Sequence, residues 1–241
     1  MVKQLEPGKA RTKFNPKMWT SDRYVGEPKY DGSNYLMHCC LGESRFTSRH
    51  ISKKTGQFVE KTENVPHLRD LFAQEGLDKE LEGCVFGGEI VYQDMVHSKS
   101  MDVTKVMGSL PLRAIEIQNE QGWLDYFIFD ILYNKGKDVR NLPYHERRDI
   151  LVGYLENISA DKKHLHITPV ETQDKEQFYQ DIIAQGGEGI ILKDREATYG
   201  NGWAKVKRTS TYDVVITGFE EPTKITKKVS GEESTSRFYD N

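Results

Sequence analysis

The sequence predicts an α+β fold of mainly antiparallel sheets with flanking helices. Three observations carry this. Short runs of strand-forming residues recur along the chain, most of them bounded by glycine or other turn-forming residues. Amphipathic stretches with helical spacing fall between them at irregular intervals. A length of 241 residues with 37% hydrophobic and 10% aromatic content is enough to build a core.

Residues 1–24 are polar and mixed, with Pro7, Gly8 and Pro16, and read as an extended lead-in with at most a short helix. From Val25 the pattern becomes strand-like. Tyr35 to Cys40 suits a strand, Gly42-Glu43-Ser44 a turn, and Arg45 to Ser48 an antiparallel return. Pro66, Leu68, Leu71, Phe72, Leu77 and Leu81 mark an amphipathic helix over 66–81, interrupted near Gly76. Val85 to Tyr92 is a strand holding Gly87-Gly88-Glu89. Tyr126 to Leu132 reads as a buried strand. Pro143 opens a helix through about Leu155, with Arg147 and Arg148 on its polar side. His166 to Val170 is a short strand. Glu176 to Ala184 is a helix that Gly186-Gly187 stops. Gly189 to Lys193 and Ala204 to Lys207 are two further strands. After Tyr212, Val214 to Thr217 begins a new strand, and the polar stretch from Thr223 carries no clear element.

No apolar run approaches the ~20 residues of a membrane span. The opening Met1 to Glu6 has no signal-peptide core, so an intracellular protein is expected. Three cysteines, two of them adjacent at Cys39 and Cys40, make neither a disulfide framework nor a zinc spacing. A net charge of −3 argues against a protein held to nucleic acid by bulk charge alone, while leaving room for a local basic groove. Lys205 to Arg208 is such a cluster; Lys224 to Lys228 reads as a solvated face. His164 and His166 have no third ligand placed by sequence and are set aside as a metal pair. No phosphate-binding loop with the Gly-x-x-x-x-Gly-Lys-Ser/Thr pattern occurs.

The chemistry concentrates at Glu27-Pro28-Lys29-Tyr30-Asp31-Gly32. A lysine amine attacks only when neutral, and at pH 7.4 only about one in a thousand ordinary lysines is, roughly 4 kcal/mol away. Neighbouring cations can lower that barrier. Strand alternation puts Lys205 and Lys207 on one face, from which they could supply positive charge beside Lys29. Gly32 allows a tight turn next to the lysine. Asp31, Glu89 and Glu188 can bind Mg²⁺ or ribose hydroxyls, and Phe129 can stack on a purine. Taken singly, each also reads as an ordinary residue: a surface lysine, solvated strand-end carboxylates, a core phenylalanine.

Together and in order, these segments resemble the covalent nucleotidyltransferase superfamily of ATP-dependent DNA ligases, RNA ligases and capping enzymes. The resemblance covers roughly residues 14–217. Glu27 to Gly32 looks like motif I, Phe86 to Glu89 like motif III and Asp125 to Asp130 like motif IIIa. Glu188 to Lys193 looks like motif IV and Trp203 to Lys207 like motif V. Phe129 to Gly136, running on to Leu142-Pro143 and Glu146-Arg147-Arg148, is similar to the DNA ligase segment. Thr47-Ser48-Arg49 is similar to the serine-arginine element after motif I.

The resemblance implies an ATP-grasp-like nucleotidyltransferase domain over 1–208, with 209–241 the start of an incomplete OB-fold domain or a tail. It implies that Lys29 attacks the α-phosphate of ATP to give a lysyl-AMP. AMP would pass to a 5′-phosphate, and the nick in duplex DNA would be sealed. Lys205 and Lys207 would act on the α-phosphate and Arg49 on a phosphate. Glu89 would hold the ribose and Phe129 stack on the adenine, read near Glu27. Asp31 and Asn34 would join the nucleotide site, and Glu188 would organise Mg²⁺. The implied partner is nicked duplex DNA, met by a monomer working in repair, replication or recombination.

Two departures are visible. Ser33-Asn34 follows Gly32 where DNA ligases usually have an arginine, and asparagine lacks its charged fork. An RNA ligase, or a nick containing RNA, is therefore the alternative. Residues 209–241 cannot supply the five strands of an OB fold, and no final basic motif is found. A fragment, a minimal enzyme or a non-catalytic nucleotide- or nucleic-acid-binding module is therefore expected.

Overall fold

The computed structural model describes residues 5–71, 78–92, 99–159, 163–208, 218, 223–229 and 232–238. The chain divides into two compact units, Met1–Arg208 and Thr209–Asn241.

The first unit holds two sheets. The larger is seven-stranded and includes, in the order β4-β3-β2-β5-β6-β7, β2 (Ser33–Cys40), β3 (Glu43–Ile51), β4 (Phe58–Glu60), β5 (Val85–Tyr92), β6 (Leu124–Asn134) and β7 (Lys137–Asp138). Its seventh strand, β8 (Leu165–Ile167), pairs with β6 in parallel; the other pairings are antiparallel. The smaller sheet is antiparallel in the order β1-β9-β10, from β1 (Tyr24–Pro28), β9 (Gly189–Asp194) and β10 (Trp203–Lys207). The antiparallel α+β expectation holds.

Alternation along β2 explains how the large sheet is covered. Tyr35, Met37 and Cys39 point to one side and enter the main core with Phe46, Phe86, Ile90, Tyr126 and Ile128. Helices α3 (Ser100–Gly108) and α4 (Pro111–Gln121) close that side with Val103, Val106, Met107, Ala114 and Ile117. Leu36 points to the other side and packs with Leu5, Val85 and Leu132. Helix α5 (Tyr144–Ser159) lies along β6. Its Arg147, expected on the polar side, is instead completely buried and forms a two-pronged ion pair with Asp130 of β6, at 2.7 and 3.0 Å. Behind the small sheet, α6 (Lys175–Ala184) contributes Ile182 to a second core of Ile190, Leu192, Ala204 and Met18. The Asp174 side chain caps α6 by accepting from the Gln177 amide at 3.2 Å. Gly186, with φ +85°, ends it as expected.

Three readings of whole elements also need correction. The single helix expected over 66–81 is two short ones, α1 (Pro66–Arg69) and α2 (Asp78–Leu81), with residues 72–77 outside the described residues. Leu68 and Leu81 both still reach the main core, so the apolar spacing reported burial correctly but not continuity. Helices α3 and α4 had no sequence expectation, although Val103, Val106 and Met107 in α3 and Ala114 and Ile117 in α4 recur at helical spacing. In the second unit, β11 (Thr223–Val229) and β12 (Glu232–Phe238) form an antiparallel hairpin where no element was expected. Its strands are polar, and Thr and Ile rather than an apolar run carry the β preference. The strand expected at 214–217 lies outside the described residues. No helix among the described residues is long and apolar enough to cross a membrane.

Candidate active site

The small sheet sorts its residues onto two faces. Ile190, Leu192, Ala204 and Val206 turn back toward α6. Glu27, Ile191, Lys193, Trp203, Lys205 and Lys207 turn the other way and line a cavity of about 520 Å³. The large sheet supplies the facing wall: Asn34, Arg49, Glu89 and Phe129. Asn34 and Glu89 are direct register partners on β2 and β5. The cavity therefore lies between the two sheets.

Lys29 follows β1, and its amide donates to the Gly189 carbonyl at 2.9 Å. This bond brings the residue before Gly189 beside the lysine. The Glu188 carboxylate is ion-paired with both Lys29 and Lys207. Gly189 is required here: its φ is +139°, and a Cβ would sit 2.0 Å from the Val206 carbonyl oxygen. Gly32 is required for a different reason from the turn the sequence suggested. A Cβ on it would lie 2.2 Å from the Ile90 carbonyl oxygen, so glycine permits the close approach of β5.

Phe129 reaches the cavity through a skip in strand register. On β6, Ile128 pairs with Gly88 and Asp130 with Gly87, leaving Phe129 unopposed. An extra residue of this kind re-aims a side chain, a device common beside active sites. The Phe129 ring meets Trp203 edge-on, with centroids 5.8 Å apart.

Glu27 is buried at the same end. Its carboxylate accepts from the Tyr144 hydroxyl at 2.6 Å and pairs with the Lys193 ammonium at 2.7 Å. That ammonium lies 4.5 Å from the Trp203 ring centre, 4.6 Å from Phe129 and 5.0 Å from Tyr144. Burial pulls the Lys193 ammonium below the ordinary lysine range, and Glu27 opposes the shift. Glu89, half-buried, is pushed up to about 7 by desolvation, against the Asn34 hydrogen bond and the charges of Lys29 and Arg49.

The structure thus brings Glu27, Lys29, Asn34, Arg49, Glu89, Phe129, Lys205 and Lys207 to one cavity. Asp31 and Glu188 do not line it. Glu188 lines a neighbouring cavity of about 540 Å³ next to Lys29. Asp31 lines that one and a groove of about 450 Å³ that passes Arg49 and His50 to Lys61 and α3. Sequence reasoning assigned no role to Lys193, Tyr144, Trp203 or Arg11, which belong to the site. A lysine ending the apolar run Gly189-Ile190-Ile191-Leu192 was a usable signal for Lys193. Tyr144 had none, since its partner lies 117 positions away. The His164 Nδ1 meets Asp125 at 2.8 Å, and among the described residues no group of three or more His, Cys, Asp or Glu could hold a metal.

The family model described as "ATP dependent DNA ligase domain" matches residues 10–208. A probable DNA ligase of Dictyoglomus thermophilum is 29% identical, over 80% of this chain and 33% of its own. A DNA ligase of Thermoplasma volcanium is 27% identical, with 80% and 33% covered. The chain spans about a third of the length of these curated relatives. Among solved structures, a mycobacterial DNA ligase D complexed with ATP and MES superposes with a TM-score of 0.59 at 24% identity, over 84% of this chain and 60% of that one. A Chlorella virus DNA ligase-adenylate gives 0.55 at 16% identity, over 97% and 82%. The two structures show a shared fold.

Proposed function

The chain belongs to the ATP-dependent DNA ligase domain family, and on that premise we propose that it is the adenylylating part of a ligase that seals nicks in duplex DNA. One observation carries the reading: Lys29 stands in a cavity between two sheets with Lys205, Lys207, Arg49 and a projecting aromatic ring. The cavity fits a nucleoside triphosphate. Its cations suit the phosphates, Phe129 offers a ring face to a base, and Glu89 beside Asn34 offers hydrogen bonds to ribose hydroxyls.

The Lys29 amine attacks the α-phosphorus, the new N–P bond forms, the bond to the bridging oxygen breaks, and pyrophosphate leaves. Before attack, the ammonium hands a proton to its paired Glu188 carboxylate and parts from it. Lys205 and Lys207 balance charge that develops on the α-phosphate oxygens. The AMP then passes to a 5′-phosphate, and a 3′-hydroxyl displaces it. The groove from Lys29 past Arg49 and His50 to Lys61 supports an approach of the strand end along that side. Mg²⁺ fits only as an ion shared with phosphate. Glu188 and Asp31, both beside Lys29, are the carboxylates for it, and it would supply charge neutralisation for the leaving group. Residues 1–208 serve as the adenylylation domain; the β11–β12 hairpin supports reading 209–241 as the opening of an OB-type domain.

Incubation with ATP and Mg²⁺ followed by intact-mass measurement tests the reading. The wild-type chain should gain one AMP, and Lys29→Ala none. An AMP adduct on Lys29→Ala sinks the nucleophile assignment. Pre-adenylylated nicks, flanked by DNA or by RNA, then test the nucleic-acid partner: sealing of the DNA nick is expected.

A further inference from the structure

The segment before β1 crosses the cavity as a strap, fixed at both ends and in the middle. Leu5 is buried with Leu36, Val85 and Leu132. The Gly8 amide donates to the Tyr199 hydroxyl at 2.8 Å. A Cβ on Gly8 would fall 2.6 Å from the Trp203 ring, so glycine lets the strap lie against that wall. The Thr12 amide donates to the Trp203 carbonyl at 2.9 Å, and Thr12 pairs in parallel with Ala204. Ala204 faces the core under α6. Thr12 shares that side, which turns Arg11 to the cavity side with Trp203 and Lys205. Arg11 indeed lines the 520 Å³ cavity.

The other cations of the cavity differ in how far they are committed. Lys29 and Lys207 are taken by Glu188, Lys193 by Glu27, and Lys9 by Glu6. No side-chain hydrogen bond or ion pair ties Arg11, Arg49 or Lys205 to a described residue, and of these three Arg11 alone comes from a segment outside the strands of the two sheets. A rigid backbone thus holds an uncommitted guanidinium at the wall that also carries Lys205.

We infer that Arg11 binds the β- and γ-phosphates of the nucleoside triphosphate, a phosphate-recognition role for the strap. The inference rests on reading the cavity as the ATP site. Its chemistry is that of a planar fork, which engages two phosphate oxygens at once and keeps its charge at any working pH. Lys29, Lys205 and Lys207 serve the α-phosphate, and Arg11 adds a cation from a separate segment to the same cavity. The strap reads the leaving group, not the nucleoside.

The test uses the full chain and its Arg11→Gln and Arg11→Lys variants, titrated with ATP and with AMP in EDTA. Arg11 is exposed, and unchanged thermal unfolding verifies the fold. Arg11→Gln should raise the Kd for ATP about tenfold or more while leaving AMP within about twofold, with Arg11→Lys in between. An equal loss for both nucleotides, or no loss for ATP, overturns the inference. So does a loss confined to nicked duplex binding, which would assign Arg11 to nucleic-acid phosphates. Wild-type protein that binds neither nucleotide removes the site and the inference together. Wild-type protein that prefers ATP in an Arg11-dependent way yet gains no AMP mass with Mg²⁺ overturns the adenylylation reading and upholds the role of Arg11.

Discussion

At the scale of single residues, partners decide how the site's charges behave, and two of those charges, Glu27 and Lys193, are buried. Lys193→Met leaves the Glu27 carboxylate buried with Tyr144 as its remaining partner. The expected cost is about 3–5 kcal/mol, because one charge of a buried pair is left uncompensated. Adding Glu27→Gln should recover part of it, and denaturant unfolding of the four proteins in the cycle measures how much. Glu89 gives a pH effect of defined sign. Its folded-state pKa, about 7, lies above the ordinary carboxylate value. The folded protein therefore holds a proton that the unfolded chain releases. Stability falls as pH rises from the ordinary range to about 7, and is level above it. Glu89→Gln should flatten this slope and, above pH 7, be more stable than wild type by on the order of 1–2 kcal/mol after discounting for partial solvation. Asn34→Ala removes the hydrogen bond that lowers Glu89, so the step should move to higher pH. Thermal unfolding across pH 4–9 reads both, and an unchanged slope in Glu89→Gln would falsify the assignment.

At the scale of elements, backbone approach matters more than side-chain choice. β2 and β5 meet where Gly32 faces the Ile90 carbonyl, and β9 and β10 meet where Gly189 faces the Val206 carbonyl. Both contacts set the position of Lys29, one from each sheet. Gly32→Ala must shift the start of β2, since a carbonyl of a central strand cannot yield as a flexible side chain would. A displacement of about 1 Å at a nucleophile costs on the order of 100-fold. Self-adenylylation followed by intact mass should therefore slow by about that factor while ATP binding changes much less. Equal rates in Gly32→Ala and wild type would show that the contact does not position the lysine. These elements were largely legible beforehand. Val85 to Tyr92 matched β5 residue for residue, and the Gly186 stop of α6 held, because glycine and strand alternation act locally. The skip at Phe129 was not legible, because a register exists only between two strands.

On the scale of the whole molecule, a chain of net charge −3 sets seven of its 34 lysines and arginines at one cavity. A local field of this kind attracts phosphates that the overall charge would repel. Among the described residues, the three apolar cores consist of residues numbered 5 to 206. A chain ended after Arg208 should therefore unfold cooperatively with a midpoint within about 5 °C of the full chain, a shift worth roughly 1 kcal/mol for a domain of this size. Calorimetry checks it; a loss of the cooperative transition contradicts the placement of the cores. By itself, the sequence determined the identity and order of the candidate site residues, the strands that carry them, and the shared face of Lys205 and Lys207. Those follow from residue chemistry and from a period of two along a strand. Only the tertiary structure decided who meets whom: Glu188 between Lys29 and Lys207, Glu27 between Tyr144 and Lys193, and the strap that turns Arg11 inward. These pairings join distant parts of the chain, and no local period encodes them; they exist because the packing of two sheets brings their facing residues to one cavity.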